Sequence, residues 1–359
     1  MQLIPITNLD NVGIDPGLSA DDIKTILESK RPVLGEIELT LFENCNIECD
    51  FCFHDKKSTV GLTREEMLSK LPLVADHLDK LKGRVQLVQI NMVGGELFQD
   101  QWMEEKCGDY KVLLLEIQKL ADARDLKLQT VWVSNFLWKK REVIRDLMDF
   151  LNANDIKSTL IASYDLTGRP ISNRYHTNLK YFKDYISTIN LVATKQSIAA
   201  LASGTDEFFD ELYAEHEVYF DDFIPDVGSE WQIPSETQML QFYKLIADKY
   251  PRAHPIAAII KNKENEMHCL ALNKVTIFPD NTVSNCRWHR YTQADFKTTL
   301  DLRDNSGMMY RFMEENGCLS CDYYSRCGFS CYTQWDWRRR ERDLGSCVMR
   351  SFFDYLETK

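Results

Sequence analysis

The chain has 359 residues, 44% of them hydrophobic and 27% charged, an ordinary globular composition with room for two domains and a full core. Its formal net charge of -12 argues against a large nucleic-acid footprint, although Arg338, Arg339, Arg340 and Arg342 form a basic cluster that fits a solvated helix face as well as a phosphate or substrate contact. No run approaches the about eighteen apolar residues of a membrane span, and the start lacks a basic segment followed by a sustained apolar stretch, so a soluble, cytoplasmic protein is expected. Eleven cysteines is an odd count in a chain too long to need disulfide staples, and metal binding explains them better.

Residues 1–33 include a short helix candidate over 19–28, before Pro32, which reads as a cap on the main domain. From residue 34 onward strands and helices alternate. The apolar run 37–42 is a first strand; Thr63 and Glu66 set a capping box ahead of a helix to residue 81 that Pro72 is expected to kink. Residues 85–93 read as a buried second strand, 99–109 as an insertion, 110–123 as a helix and 127–133 as a third strand. A helix over 141–151, strands over 158–163 and 189–194, a helix over 198–214 interrupted at Ser203-Gly204, and a strand over 218–224 follow. This alternation predicts a parallel sheet with right-handed crossovers, and six such units fit an incomplete (β/α)6 barrel of TIM type. A second capping box, Ser235 with Gln238, opens a helix that Pro251 stops. The barrel is accordingly assigned to 34–233, a bridging helical region to 234–265 and a small cysteine-rich domain to 266–359.

Chemistry concentrates at Cys45, Cys49 and Cys52, spaced C-x3-C-x2-C directly after the first strand. Three thiolates on one loop make a soft pocket suited to iron-sulfur or zinc and poorly suited to magnesium or calcium. A closed zinc site needs a fourth ligand, and His54, two residues on, strains so short a loop. A four-iron cluster with one open iron is the other reading, and an open iron binds a small molecule. The pattern C-x3-C-x-aromatic-C after a first strand resembles the signature of the radical S-adenosylmethionine (SAM) enzymes. Gly94-Gly95-Glu96, closing the second strand, is similar to the turn with which that family receives the SAM amino group. Two glycines let backbone approach a ligand and a carboxylate pairs with an ammonium, whereas the glycines alone would read as an ordinary strand-to-helix turn.

By the same resemblance Phe51 contacts the adenine, Ser134-Asn135 matches a Thr-Asn turn after the third strand, and Ser163 of Ser163-Tyr164-Asp165 contacts the SAM ribose or carboxylate. Core packing for Phe51 and helix capping for Ser163 are the plain alternatives. Cys45, Glu96, Asn135 and Ser163 all fall at carboxyl ends of strands, where barrels keep their catalytic groups. Glu96 is expected to matter for SAM and not for the fold. No residue stands out as a catalytic acid or base.

Cys269 and Cys286 flank a hairpin over 273–285 that turns at Pro279-Asp280-Asn281. Cys318-x2-Cys321-x5-Cys327-x3-Cys331 follows, and then Cys347. Zinc ribbons are the structural alternative. Seven cysteines in this order resemble the SPASM extension of radical SAM enzymes, with Asn281 where the consensus turn has glycine, a position asparagine tolerates. The resemblance implies that Cys318, Cys321, Cys327 and Cys347 hold an outer auxiliary cluster and Cys269, Cys286 and Cys331 an inner one. No further cysteine precedes the hairpin, which leaves an open iron, or Glu264, Glu266, His268 or the substrate, at the inner cluster. Cys107 is unassigned and reads as a spare, partly buried thiol.

The implied cofactors are SAM and three [4Fe-4S] clusters, one SAM-binding and two auxiliary, with a flavodoxin or ferredoxin as electron donor. The implied activity is cleavage of SAM to a 5'-deoxyadenosyl radical and oxidative modification of a peptide or protein, foremost an intrapeptide cross-link made by a ribosomal-peptide maturase. A peptide epimerase or small-molecule oxidoreductase is the alternative. A non-catalytic iron-sulfur carrier or redox sensor is the second, disfavoured because a carrier needs no amino-group receptor such as Gly94-Gly95-Glu96. Arg287 stands after Cys286 where the family's sulfatase-maturing members place an aspartate base, so that activity is not expected. Trp288, His289, Trp335 and Trp337 suit either a substrate channel or packing around clusters.

Overall fold

The computed structural model describes residues 34–167, 172–204, 207–224, 229–261, 274–284, 287, 313–324, 327 and 343–359. The helix expected over 19–28, the arginine cluster, Cys269, Cys286, Cys331, Glu264, Glu266, His268, Trp288, His289, Trp335 and Trp337 lie outside the described residues.

Strands β1 (Gly35–Thr40), β2 (Leu87–Val93), β3 (Lys127–Ser134), β4 (Lys157–Ser163), β5 (Ile186–Ala193) and β6 (Val218–Asp222) pair in parallel, each with its neighbour in the chain. Their order, β6-β5-β4-β3-β2-β1, never reverses. A doubly wound sheet reverses at its middle, whereas a monotonic order winds the sheet one way, as in a barrel. The result is the incomplete (β/α)6 barrel expected from the alternation of elements.

Residue alternation sets the two faces of this sheet. Ile37, Leu39, Val88, Ile90 and Met92 point into the core shared with the helices and have no solvent exposure. Each such side chain, fully buried, stabilises the fold by about 1.5–3 kcal/mol. Their polar neighbours, Glu36, Glu38, Gln89 and Asn91, lie on the opposite, inner face.

The helix expected over 63–81 is two helices, α1 (Arg64–Leu68) and α2 (Leu71–Leu81). Pro72 sits in the first turn of α2, where its missing N–H removes no hydrogen bond, so it breaks the helix there instead of kinking it. Lys70 is left fully buried at the junction. The insertion after β2 is helical from Met103, because Met103, Cys107, Tyr110 and Leu114 form one buried stripe of α3 (Met103–Asp122). Helices α4 (Arg141–Ala153), α5 (Asn173–Tyr181), α6 (Lys195–Ser203), α7 (Glu207–Glu215), α8 (Glu236–Lys249) and α9 (Ile256–Ile260) follow. Three helices are not expected from the sequence pattern: the short α9, a further helix at the C-terminus, and α5, which is largely polar, with Tyr175, Asn178 and Leu179 buried. Both expected capping boxes form, at α1 and α8.

The hairpin β7 (Lys274–Ile277) and β8 (Val283–Ser284) joins the barrel's own sheet. Strand β7 pairs in parallel with β1, Glu38 opposite Thr276, so the sheet crosses the domain boundary placed at residue 266. Helix α10 (Val348–Glu357) ends the chain and packs against α8. Among the described residues no helix is long and apolar enough to cross a membrane.

Candidate cofactor and metal site

The loop after β1 is closed by its own polar groups. Cys45 N–H donates to Lys56 O (3.3 Å), Cys52 N–H to Cys49 O (3.1 Å), Lys56 Nζ to Cys49 O (3.3 Å), and Asp55 N–H to the Glu43 carboxylate (3.0 Å). These bonds gather Cys45, Cys49 and Cys52. Burial pushes the Cys45 thiol up to about 12, and the Glu96 carboxylate and the thiols of Cys52 and Cys49 push the same way. The loop thus sets the Cys45 thiol in the field of two further thiols and a carboxylate, surroundings that disfavour added negative charge. Among the described residues no group of His, Cys, Asp and Glu already stands in the close arrangement of a single-ion site. His54 packs on Phe53, ring centroids 4.5 Å apart.

Glu96 ties three strand ends together. It is 1% exposed, and its carboxylate accepts the Phe98 N–H (3.0 Å), the Ser134 hydroxyl (2.9 Å) and the Asn135 N–H (2.7 Å). The expectation that Glu96 serves SAM and not the fold is therefore corrected: it also bridges β2 to β3. Gly94 and Gly95 permit a close approach, and the structure shows that it is to the cysteine loop. A Cβ on Gly95 would lie 1.9 Å from Asn44 O, and one on Gly94 2.3 Å from Phe42 O. The Gly95 and Glu96 N–H groups donate to Phe42 O (2.9 Å) and Asn44 O (3.0 Å). From β3, the Asn135 side chain donates to Asn46 Oδ1 (2.9 Å) on the same loop.

Not every expected residue converges here. Asp165 is buried and accepts the Ser197 hydroxyl (3.0 Å), fastening the end of β4 to the first turn of α6. Ser163 is the last residue of β4 and does not cap α5, whose N-cap is Ser172. Phe51 is half-buried in the loop, and Gln232 donates to the neighbouring Asp50 O (3.1 Å).

A second set of thiols lies near the C-terminus. Cys318, Cys321, Cys327 and Cys347 line one partly open cleft with Tyr323 and Phe353. Burial holds the Cys318 thiol far above its ordinary value, with Cys347, Cys327 and Cys321 adding to the effect. Cys347 is the N-cap of α10, where the positive end of the helix dipole favours an anionic sulfur or an anionic cluster. Tyr323 stacks on Phe353 at 4.9 Å and donates to Asp354 and Glu357 (both 2.8 Å), holding the cysteine turn against α10. Four thiols and no carboxylate form a soft donor set of the kind that iron-sulfur clusters use. Cys107, by contrast, is buried on α3, its thiol pushed up to about 12 by burial, which makes it inert.

No protein-family model and no curated protein matches the sequence. Among solved structures the chain is similar to native anSMEcpe with bound AdoMet (SAM), at 14% identity and a TM-score of 0.61, covering 90% of this chain and 97% of that one. It is similar also to anSMEcpe with bound AdoMet and the Kp18Cys peptide, at 15% identity and a TM-score of 0.60 over the same shares. The chain shares the fold of these AdoMet-bound structures.

In this fold the inner face of the sheet carries a polar ladder that no motif in the sequence marks. Gln129 Nε2 donates to Gln89 Oε1 (2.7 Å), Gln89 Nε2 to Asn91 Oδ1 (2.7 Å), and Asn91 Nδ2 to Glu36 Oε2 (3.5 Å). Lys274 lies 3.6 Å from Glu36 and 3.9 Å from Glu38, and Arg287 lies 3.8 Å from Glu38. The signal was present as polar residues at every second position of β1 and β2. Such an inner face is hydrophilic where a closed barrel packs aliphatic layers.

Proposed function

We propose that the protein is a radical SAM enzyme that oxidatively modifies a peptide, foremost by an intrapeptide cross-link. The observation that carries this reading is the meeting of three thiols and the Glu96 carboxylate at the carboxyl ends of β1 to β3, beside Asn135. Cys45, Cys49 and Cys52 would hold a four-iron cluster, and SAM would lie against it with its amino group toward Glu96. Phe51 would face the adenine, and Ser163 and Asn135 would supply polar contacts, while Gly94 and Gly95 keep the cysteine loop pressed to the strand ends. Bound there, cluster and SAM would supply radical chemistry directed at an unactivated carbon-hydrogen bond. The chain's own residues would bind and orient: the loop's hydrogen bonds gather the thiols, Glu96 is fixed by three donors, and the polar inner face suits a peptide's amides and side chains.

Cys318, Cys321, Cys327 and Cys347 would hold an outer auxiliary cluster, and Cys269, Cys286 and Cys331 an inner one. Seven such cysteines favour an oxidative outcome over a neutral rearrangement. The solved structure of anSMEcpe with both AdoMet and a peptide supports a peptide substrate for this fold. A flavodoxin or ferredoxin in the cytoplasm would deliver the electron. The test is anaerobic reconstitution followed by reduction in the presence of SAM and a short peptide encoded beside this gene. The expected results are 5'-deoxyadenosine, methionine, and a peptide that has lost a hydrogen pair and gained no oxygen. A peptide of unchanged mass carrying solvent deuterium would overturn the cross-link in favour of epimerisation, and absence of SAM cleavage would overturn the whole reading.

A further inference from the structure

Gln232 lies in a single 3-10 turn, Glu230–Gln232, in the chain between β6 and α8. It is 1% exposed, and its side-chain amide donates to Asp50 O (3.1 Å), 182 residues earlier. A buried amide is costly unless hydrogen-bonded, and this one is directed at a backbone carbonyl between Cys49 and Cys52. The bond joins two parts of the barrel that the sheet leaves apart. In the order β6-β5-β4-β3-β2-β1 the end strands stand five places from one another, and the ladder does not bring them together. Asp50 follows β1 and Gln232 follows β6, so the amide reaches across the barrel's open side at the end where the thiols gather.

The turn is itself fixed from behind. Gln232 N–H donates to Ser229 O and Ile233 N–H to Glu230 O (both 3.0 Å). The buried Pro234, whose ring holds its φ, and the capping box of Ser235 with Gln238 lead directly into α8. Helix α8 is anchored by its buried face: the ring of Phe242 meets Phe220 of β6 at 5.0 Å, and Tyr243 meets Phe352 of α10 at 5.6 Å. Its first turn also holds the approach to the second thiol set, because Thr237 N–H donates to Asp343 Oδ1 (3.1 Å), four residues before Cys347. Within residues 232–237 the chain thus binds the cysteine loop at one end and the lead-in to Cys347 at the other.

We infer that Gln232 is a positioning residue whose amide holds the Cys49–Cys52 turn against the start of α8, the same stretch that holds the lead-in to Cys347, so that one short segment fixes both thiol sets. The front of the cysteine loop, residues 42–46, is held from β2 and β3 through Gly95, Glu96 and Asn135. The bonds to Cys49 O from Cys52 N–H (3.1 Å) and Lys56 Nζ (3.3 Å) tie the loop only to itself, and Gln232 holds its far side. The inference concerns the thiols and not what they bind. Only its bearing on SAM, through Phe51 beside Asp50, rests on the function proposed above.

The test is alkylation of full-length, metal-free, reduced protein by iodoacetamide under anaerobic conditions, with the rate at each cysteine read by mass spectrometry. Gln232→Leu removes the donor at nearly the same volume. Gln232→Asn withdraws the amide by one methylene and decides the matter should Gln232→Leu not fold, while Gln232→His restores an N–H at similar reach. In the first two variants Cys49, 7% exposed in the wild type, should react about tenfold faster with Cys107 and Cys318 unchanged, and Gln232→His should return the wild-type rate. Asp343→Ala should do the converse, quickening Cys347 and leaving Cys49 alone. An unchanged Cys49 in both Gln232→Leu and Gln232→Asn would overturn the positioning role, as would equal acceleration at Cys107, the mark of a general loosening of the fold. An unchanged Cys347 in Asp343→Ala would overturn the shared segment. Wild-type protein that binds no SAM after reconstitution would overturn the function proposed above and leave the alkylation result standing.

Discussion

At the scale of single residues, Glu96 carries two loads. Its carboxylate accepts from Phe98, Ser134 and Asn135, and it lies in the field of the Cys45 thiol. In Glu96→Gln one carboxylate oxygen becomes an NH2 group facing donors. SAM affinity measured under anaerobic conditions should fall by about 1.5–3 kcal/mol, the range of a charge-assisted hydrogen bond. Unfolding by urea should show a stability loss of about 1–3 kcal/mol from the mismatched buried donors. Wild-type values for both would remove Glu96 from site and fold alike. The sequence made Glu96 visible through the motif that contains it. Its structural role was invisible, because Ser134 and Asn135 come from a strand 38 and 39 residues away and only the parallel register of β2 with β3 brings them to it.

At the scale of elements, strands were legible wherever polar and apolar residues alternate or an apolar run is bounded by turn residues. The break between α1 and α2 was misread because Pro72 signals a kink inside a helix and a start at its first turn with the same residue. Helix α5 escaped notice because few of its residues are apolar, its stability coming from Tyr175 and Leu179 set against the core. The turn between α7 and β6 carries a pH dependence. Burial chiefly holds the His216 imidazole below its ordinary value of 6.5, with Lys183 adding to the effect and Glu215 opposing it. A lowered folded value means that the unfolded chain takes up the proton first. Stability is thus fully present above 6.5 and declines as pH falls from there toward the folded value. Urea midpoints between about pH 7.5 and 5.5 should fall more steeply for the wild type than for His216→Asn. Parallel curves would show that His216 titrates alike in both states.

At the scale of the whole molecule, the barrel was legible because six strand-helix units in sequence allow few other solutions. The two thiol sets were legible from spacing alone, yet their electrostatic state was not: it arises from burial and from Glu96, which no cysteine spacing encodes. The outer site is built from two separate stretches, the turn at Cys318 and the N-terminus of α10. Cys347→Ala should therefore lower the iron content by about four atoms per chain while SAM binding at the first site persists. Loss of all iron would show that the two sites assemble together and not independently.

The parallel pairing of β1 with β7 bears on how the chain is made. Glu38 and Thr276, joined across that seam, are 238 residues apart. During synthesis one flank of β1, the strand that leads into Cys45, stays without its partner until most of the protein has left the ribosome. An uncovered strand edge invites pairing with other chains, and contacts this distant in sequence form late. Nascent chains halted before residue 274 would expose that edge beside the free end of β1, so the hairpin is also the piece whose arrival ends the chain's most aggregation-prone interval.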